Sequence, residues 1–216
     1  MSQSCVEALW GGFPGQCSVF CVDLDTGDIC HSHQPQAKLP AGPMIAFPLL
    51  VCALEQVCRG RLALDQALDG GGTLKQGLAD LAAGDARALE GVTALITPQR
   101  ADDYFQGTLG LRDTACGPQA RTSNQSLFYL FRRLVRGEVL TQPLRERLLA
   151  LLAPVAPAPA QVGLAAQAGG LCHWAGLVPG PAGLRYVGVC SWEGPGGAAQ
   201  RQEVENLVRA LAGLEG

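Results

Sequence analysis

The sequence predicts an α+β fold: an α/β sandwich whose antiparallel sheet takes strands from both chain ends, with an all-helical lobe inserted between them. Three observations predict it. Near the N-terminus, the run CSVFCVDLDTGDICHS (17–32) reads as a hairpin, two β-rich segments around the turn signal Asp25-Thr26-Gly27. Near the C-terminus, QVGLAAQAGG (161–170), LCHWAGLVPG (171–180) and LRYVGVCSWEG (184–194) read as three successive strands parted by Gly/Pro turns. Between them lie helical patterns only, the first of them apolar on every side. The 216 residues suit a single domain, with an α/β lobe at about 1–40 and 160–216 and a helical lobe at about 41–159.

In chain order, residues 2–10 can form a short first helix that flanks the sheet. The segment 38–60, KLPAGPMIAFPLLVCALEQVCRG, follows the hairpin. Met44, Ile45, Phe47, Leu49, Leu50, Val51, Cys52, Leu54, Val57 and Cys58 leave no polar face, so other elements must wrap it. Glu55, Gln56 and Arg59 end the run too early for a membrane span. Pro43 suits a first turn, where a missing N–H costs little. Pro48 is expected to bend the helix or divide it, and Gly60 to stop it. Gly70-Gly71-Gly72 is a loop. Residues 74–96 carry helical periodicity as far as Thr97-Pro98. A helix then runs through TSNQSLFYLFRRLVRGEVL (122–140), capped by Thr122 or Ser123, with Leu127, Leu130, Phe131 and Leu134 as its stripe and Gly137 as its stop. LTQPLRERLLALLA (140–153) is amphipathic, PVAPAPAQ (154–161) an extended link, and AAQRQEVENLVRALAG (198–213) the final helix.

A hydrophobic share of 48% and a charged share of 16% describe a globular chain rather than a disordered one. The net charge of −3 gives no pull toward nucleic acid or anionic membrane. The start, MSQSCVEALWGGFPGQ, has neither the basic nor the long apolar region of a signal peptide, so the expected location is cytoplasmic unless a leader has been removed. Nine cysteines at scattered spacing do not form a disulfide framework, and they are expected to be reduced. Trp10, Trp174 and Trp192 read as core or lobe-interface residues. Cys30-His31-Ser32-His33 could find metal partners only in Cys172-His173, and no zinc spacing is matched, so no metal site is assigned. No cofactor motif occurs.

LPAGPMIAFPLLVCALEQVCRGRLALDQAL resembles the segment of class A β-lactamases and related penicillin-recognising serine hydrolases in which Ser-x-x-Lys opens the buried helix. DLDTGDICHSHQP resembles the family's first hairpin, LGLRDTACGP a connection before a helix, and AQAGGLCHWAGLV its Lys-Thr-Gly strand. The resemblance covers residues 16–68 and 121–193 and extends, less closely, over 72–110. It implies the β-lactamase/transpeptidase-like architecture described above.

The resemblance also places the family's chemistry. Pro43 stands at the nucleophile position and Ala46 at the lysine position. Gly84-Asp85-Ala86 stands for Ser-Asp-Asn, and Gln167-Ala168-Gly169, followed by Gly170, for Lys-Thr-Gly. Proline offers neither a hydroxyl nor the N–H that is one of the family's two oxyanion donors, and alanine offers no amine to take a proton. Only two lysines exist, Lys38 and Lys75, and no glutamate lies between Glu90 and Glu138. Asp102, Asp103 and Asp113 read as loop residues rather than substitutes. Asp85 also reads simply as a helix-start aspartate, and Gly169 as a strand glycine that admits a close backbone.

The expectation is therefore a dismantled serine-hydrolase site with no catalytic residue. Such a pseudoenzyme could bind an unknown small molecule or protein partner in a cleft made by Pro43, Asp85, Gln167, Gly169 and Gly170. Two alternatives stand beside it. One is an active hydrolase using a cysteine or Ser123 on an amide or β-lactam. The other is a structural or oligomerising domain with a closed cleft.

Overall fold

The computed structural model describes residues 13, 15–156, 158–180, 183–194 and 196–213. The helix expected at residues 2–10, with Trp10, lies outside them.

The sheet has five antiparallel strands in the order β2-β1-β7-β6-β5. They are β1 (Gln16–Asp23), β2 (Ile29–His33), β5 (Val162–Ala168), β6 (Leu171–Pro179) and β7 (Leu184–Trp192). The turn signal after β1 works as read: Asp23 Oδ1 accepts from the Asp25 and Thr26 amides at 3.1 and 3.2 Å, and Gly27 takes a positive φ. β1 lies directly beside β7, with Val19 opposite Val189, so the two chain ends meet inside the sheet.

Side chains alternate between the two faces. Val19, Cys21, Trp174, Val187 and Val189 pack under the final helix, α7 (Gly197–Ala212), against Val204, Leu207, Val208 and Leu211. Phe20, Val22, Leu164, Ala175, Leu177 and Tyr186 point the other way and merge with the core of the helical lobe.

The helical lobe begins with a small pairing of β3 (Leu39–Pro40) and β4 (Arg121–Thr122). A 3-10 turn follows at Gly42–Ile45, and then α1 (Ala46–Cys58). Ala46 through Leu54 are all buried, Phe47 and Leu50 completely. Phe47 stacks on Phe131 with ring centroids 4.2 Å apart. The division expected at Pro48 falls earlier, between Ile45 and Ala46. Pro48 is thereby left in the first turn of α1, where no intrahelical N–H is missed and no kink is required.

The periodic stretch 74–96 is two helices rather than one. α2 (Leu74–Ala82) opens with a capping box between Thr73 and Gln76, and α3 (Ala86–Ile96) is capped by Asp85. The break between them is the left-handed Gly84, at φ +86°. The short α4 (Pro98–Asp102) runs into a π-helical stretch, Asp103–Thr108, which the sequence did not announce. α5 (Asn124–Arg136) is capped by Ser123 and ends at the left-handed Gly137, and α6 (Gln142–Leu152) leads through a 3-10 turn back to the sheet. Among the described residues no helix is long and apolar enough to cross a membrane.

Candidate functional site

The 3-10 turn at Gly42–Ile45 packs against β5 and β6, as the approach of Gly42 shows: a Cβ there would come within 2.9 Å of Leu171 Cδ1. This turn carries Pro43 half-exposed at the junction of the two lobes, with Met44 and Ile45 buried beneath it. Pro43 has no N–H. The next amide, that of Met44, donates to the Ala41 carbonyl at 3.0 Å, so it is not aimed outward. Ala46, one turn on, is buried and apolar. The resemblance would require at this corner a hydroxyl, a base within about 2.6–3.2 Å of it, and two inward N–H donors. Pro43 and Ala46 supply none of the three.

The corner opens instead onto a groove of about 650 Å³. Pro43 and Ile45 form one wall, Leu89, Thr93 and Ala94 of α3 the second, and Cys116 to Ala120 the third. Glu90 brings the one charge among its lining residues. Sequence reasoning missed this group. The available signal was the small pair Thr93-Ala94 on the face of α3 that also carries Leu89 and Glu90.

The cleft residues expected from the sequence do not share one cavity. Asp85 is exposed and caps α3, its Oδ1 accepting from the Ala88 amide at 2.8 Å. It borders a different depression, of about 890 Å³, beside Gly70–Gly72. Gln167 is corrected most. On β5 the residues that face the helical lobe are Val162, Leu164 and Ala166. Gln167 therefore points to the opposite face, where its Nε2 donates to the Gly197 carbonyl at the start of α7 (3.0 Å) and it lines a third hollow with Arg201 and Glu205. Gly169 and Gly170 form the turn to β6. A Cβ on Gly170 would collide with the Gly194 carbonyl, so this glycine serves a close backbone approach.

The alternative nucleophiles are built into the scaffold. Ser123 is fully buried; its Oγ accepts from the Ser126 amide at 3.1 Å and stands 3.4 Å from Asp113. Cys116 does reach the groove. Burial pushes its thiol up, with the Asp102 carboxylate adding to the rise, against hydrogen bonds from the Gly117 backbone and the Thr93 hydroxyl. Cys52, on the buried helix, is pushed up to about 12, first of all by burial. The three loop aspartates are structural. Asp102 accepts from the Cys116 amide at 2.6 Å, Asp103 from Gln99 at 2.9 Å, and Asp113 pairs with Lys38 at 3.7 Å. Cys172 and His173 diverge to opposite faces of β6. Cys172 packs under α7, while His173 Nε2–H donates to the Pro40 carbonyl at 2.8 Å and ties the sheet to the strand that leads into the Pro43 turn.

A five-stranded antiparallel sheet with an inserted helical lobe, and a buried helix opening at the lobe junction, define the β-lactamase/transpeptidase-like class. The chain belongs to the β-lactamase enzyme family, whose sequence model matches residues 3–212. Solved structures agree in fold. A β-lactamase from Chitinophaga pinensis superposes with a TM-score of 0.85 at 19% identity, covering 98% of both chains. One from Sphaerobacter thermophilus gives 0.82 at 18% identity over the whole of both chains. PBP-A gives 0.82 at 21% identity, covering 98% of this chain and 94% of that one. No curated protein sequence matches.

Proposed function

We propose that the chain is a non-catalytic member of this family and that the groove beside Pro43 binds an apolar small molecule. Pro43 carries the reading. By the resemblance it stands at the family's nucleophile position, and it removes hydroxyl and N–H together while walling an accessible, mostly apolar groove. Pockets of this volume and lining are the usual home of small ligands. A hydrolase with a different nucleophile finds no support in Ser123 or Cys116, one buried in a helix cap and the other a thiol pushed up by burial. A closed structural domain is disfavoured by the open groove itself.

The experiment has two arms. Intact-protein mass spectrometry after incubation with penicillin G is expected to show no covalent adduct. An adduct would sink the non-catalytic half of the proposal. An environment-sensitive apolar dye is expected to bind the wild type and to bind Ala94→Trp about tenfold more weakly, because Ala94 is exposed on α3 and the indole fills the groove. Equal binding by the two proteins would remove the groove from the account.

A further inference from the structure

The pairing of β1 with β2 contains a register shift. Cys21 lies opposite His31, but the next residue, Val22, lies opposite Ile29. Cys30 is therefore the extra residue of a β-bulge, and Cys30 and His31 together oppose Cys21. In a regular ladder Cys30 would point away from Cys21. The bulge instead turns it to the same side, where both pack in the core beneath α7. Cys21 is fully buried and Cys30, on the edge strand, is half-buried. The two thiols are close enough to interact as hydrogen-bonding partners.

A cation stands beside them. Arg185 of β7 donates through Nη1 to the Leu211 carbonyl at 3.3 Å, and the Cys21 thiol points to the same carbonyl at 4.0 Å. Arg185 Nε is buried with no acceptor among the described residues. The guanidinium favours the Cys21 thiolate, although burial is the stronger influence and pushes this thiol up.

We propose that Cys21 and Cys30 are a modification site, an oxidisable dithiol that closes to a cross-strand disulfide with hydrogen peroxide as the oxidant. Cys30 is the thiol that solvent reaches. Its thiolate attacks one peroxide oxygen and the O–O bond breaks, leaving a sulfenic acid on Cys30 and, after protonation of the leaving oxygen, one water. The Cys21 sulfur then attacks the Cys30 sulfur. The S–S bond forms, the S–O bond breaks, and the hydroxide leaves with the Cys21 proton as a second water. Two thiols are oxidised and one hydrogen peroxide is reduced to two waters. The bridge fastens the short edge strand β2 to β1 and leaves the Pro43 groove untouched.

The test uses the full chain, reduced and then treated with a small excess of hydrogen peroxide. Intact mass is expected to fall by about 2 Da, the two thiol hydrogens. Digestion on the N-terminal side of aspartate, under non-reducing conditions, cuts at Asp23, Asp25 and Asp28 and separates the two cysteines unless they are bridged. Fragment ions are expected to place the bridge between Cys21 and Cys30. Cys30→Ser, a change at a half-buried edge position, is expected to abolish the mass loss, and Cys17→Ser to preserve it. A bridge to Cys5 or Cys17, an undiminished mass loss in Cys30→Ser, or oxygen addition alone would each overturn the proposal.

Discussion

Tyr186 donates its buried hydroxyl to Oδ1 of Asn124 across 3.0 Å, joining the central strand β7 to the first turn of α5. The Asn124 amide nitrogen completes the junction, donating to the Ser18 carbonyl at 3.0 Å, the Ser18 hydroxyl at 3.1 Å and the Gly188 carbonyl at 3.1 Å. One side chain thus satisfies groups on two adjacent strands and ties α5 to the sheet. Gly188 must be glycine here, because a Cβ would strike Asn124 Oδ1 and the Tyr186 hydroxyl.

Asn124→Ala removes those partners at once and leaves buried acceptors unsatisfied. The expected loss is about 2–4 kcal/mol, toward the upper end because the network is fully buried. Urea unfolding of the variant checks it. A loss under about 0.5 kcal/mol would show that the strands do not depend on this residue.

Leu50 is completely buried in α1. Leu50→Ala is expected to destabilise by about 2–5 kcal/mol, the range for large-to-small changes in a packed core. The same change at Leu62, half-buried in the loop after α1, is expected to cost less. Comparable midpoints for the two variants would contradict the placement of α1 at the centre of the lobe.

Repair of the hydrolase corner is expected to fail stepwise. Pro43→Ser restores a hydroxyl and an N–H but has no amine beside it, so penicillin should not acylate it. Adding Ala46→Lys places an amine in a buried site, where desolvation lowers its pKa as a base requires, and slow acylation is the most that follows. Gln167→Lys should contribute nothing further, since position 167 faces α7. Mass spectrometry of adducts over time distinguishes these steps. Faster acylation on adding Gln167→Lys would mean that the side chain reaches the groove after all.

His173 ties stability to pH. Burial holds its imidazole below the ordinary value of 6.5, despite the bond to Pro40. In the unfolded chain the ring protonates as pH falls through about 6.5, while in the fold it stays neutral. The unfolded state then binds more protons, so stability is full above that pH and declines below it until the folded value is reached. Urea midpoints measured between about pH 8 and pH 5 should fall less steeply for His173→Asn than for wild type. Parallel curves would remove His173 as the cause.

Local signals were legible in the sequence, and long-range ones were not. Asp25-Thr26-Gly27 announced its turn because the turn needs only its own residues. α1 announced its burial because Phe47 to Leu54 leave no polar face. The pairing of Leu39-Pro40 with Arg121-Thr122 is two residues long and has no periodicity to detect. Nothing beside Asn124 in the sequence points to Ser18 and Gly188, which come from distant strands to meet it. The resemblance assigned Pro43 and Ala46 to family positions, and in the fold Pro43 lines the groove while Ala46 is buried beneath it. Gln167 was misjudged in direction, because a strand position declares its face only when its register is known, and a shift of one residue exchanges the faces. The groove partners Thr93 and Cys116 come from separate segments, and no spacing in the chain connects them.

The adjacency of β1 and β7 also has a consequence for synthesis. About 160 residues separate the two strands, and β1 leaves the ribosome long before its partner exists. Throughout that interval Val19, Phe20, Cys21 and Val22, a short and strongly β-forming run, have only β2 to pair with. The helical lobe can assemble from contacts within itself, but the sheet closes only when the last strands arrive. The nascent chain therefore presents an uncovered sticky strand for most of its production, which makes β1 the segment where a chaperone, or a misassociating neighbour, first finds a foothold.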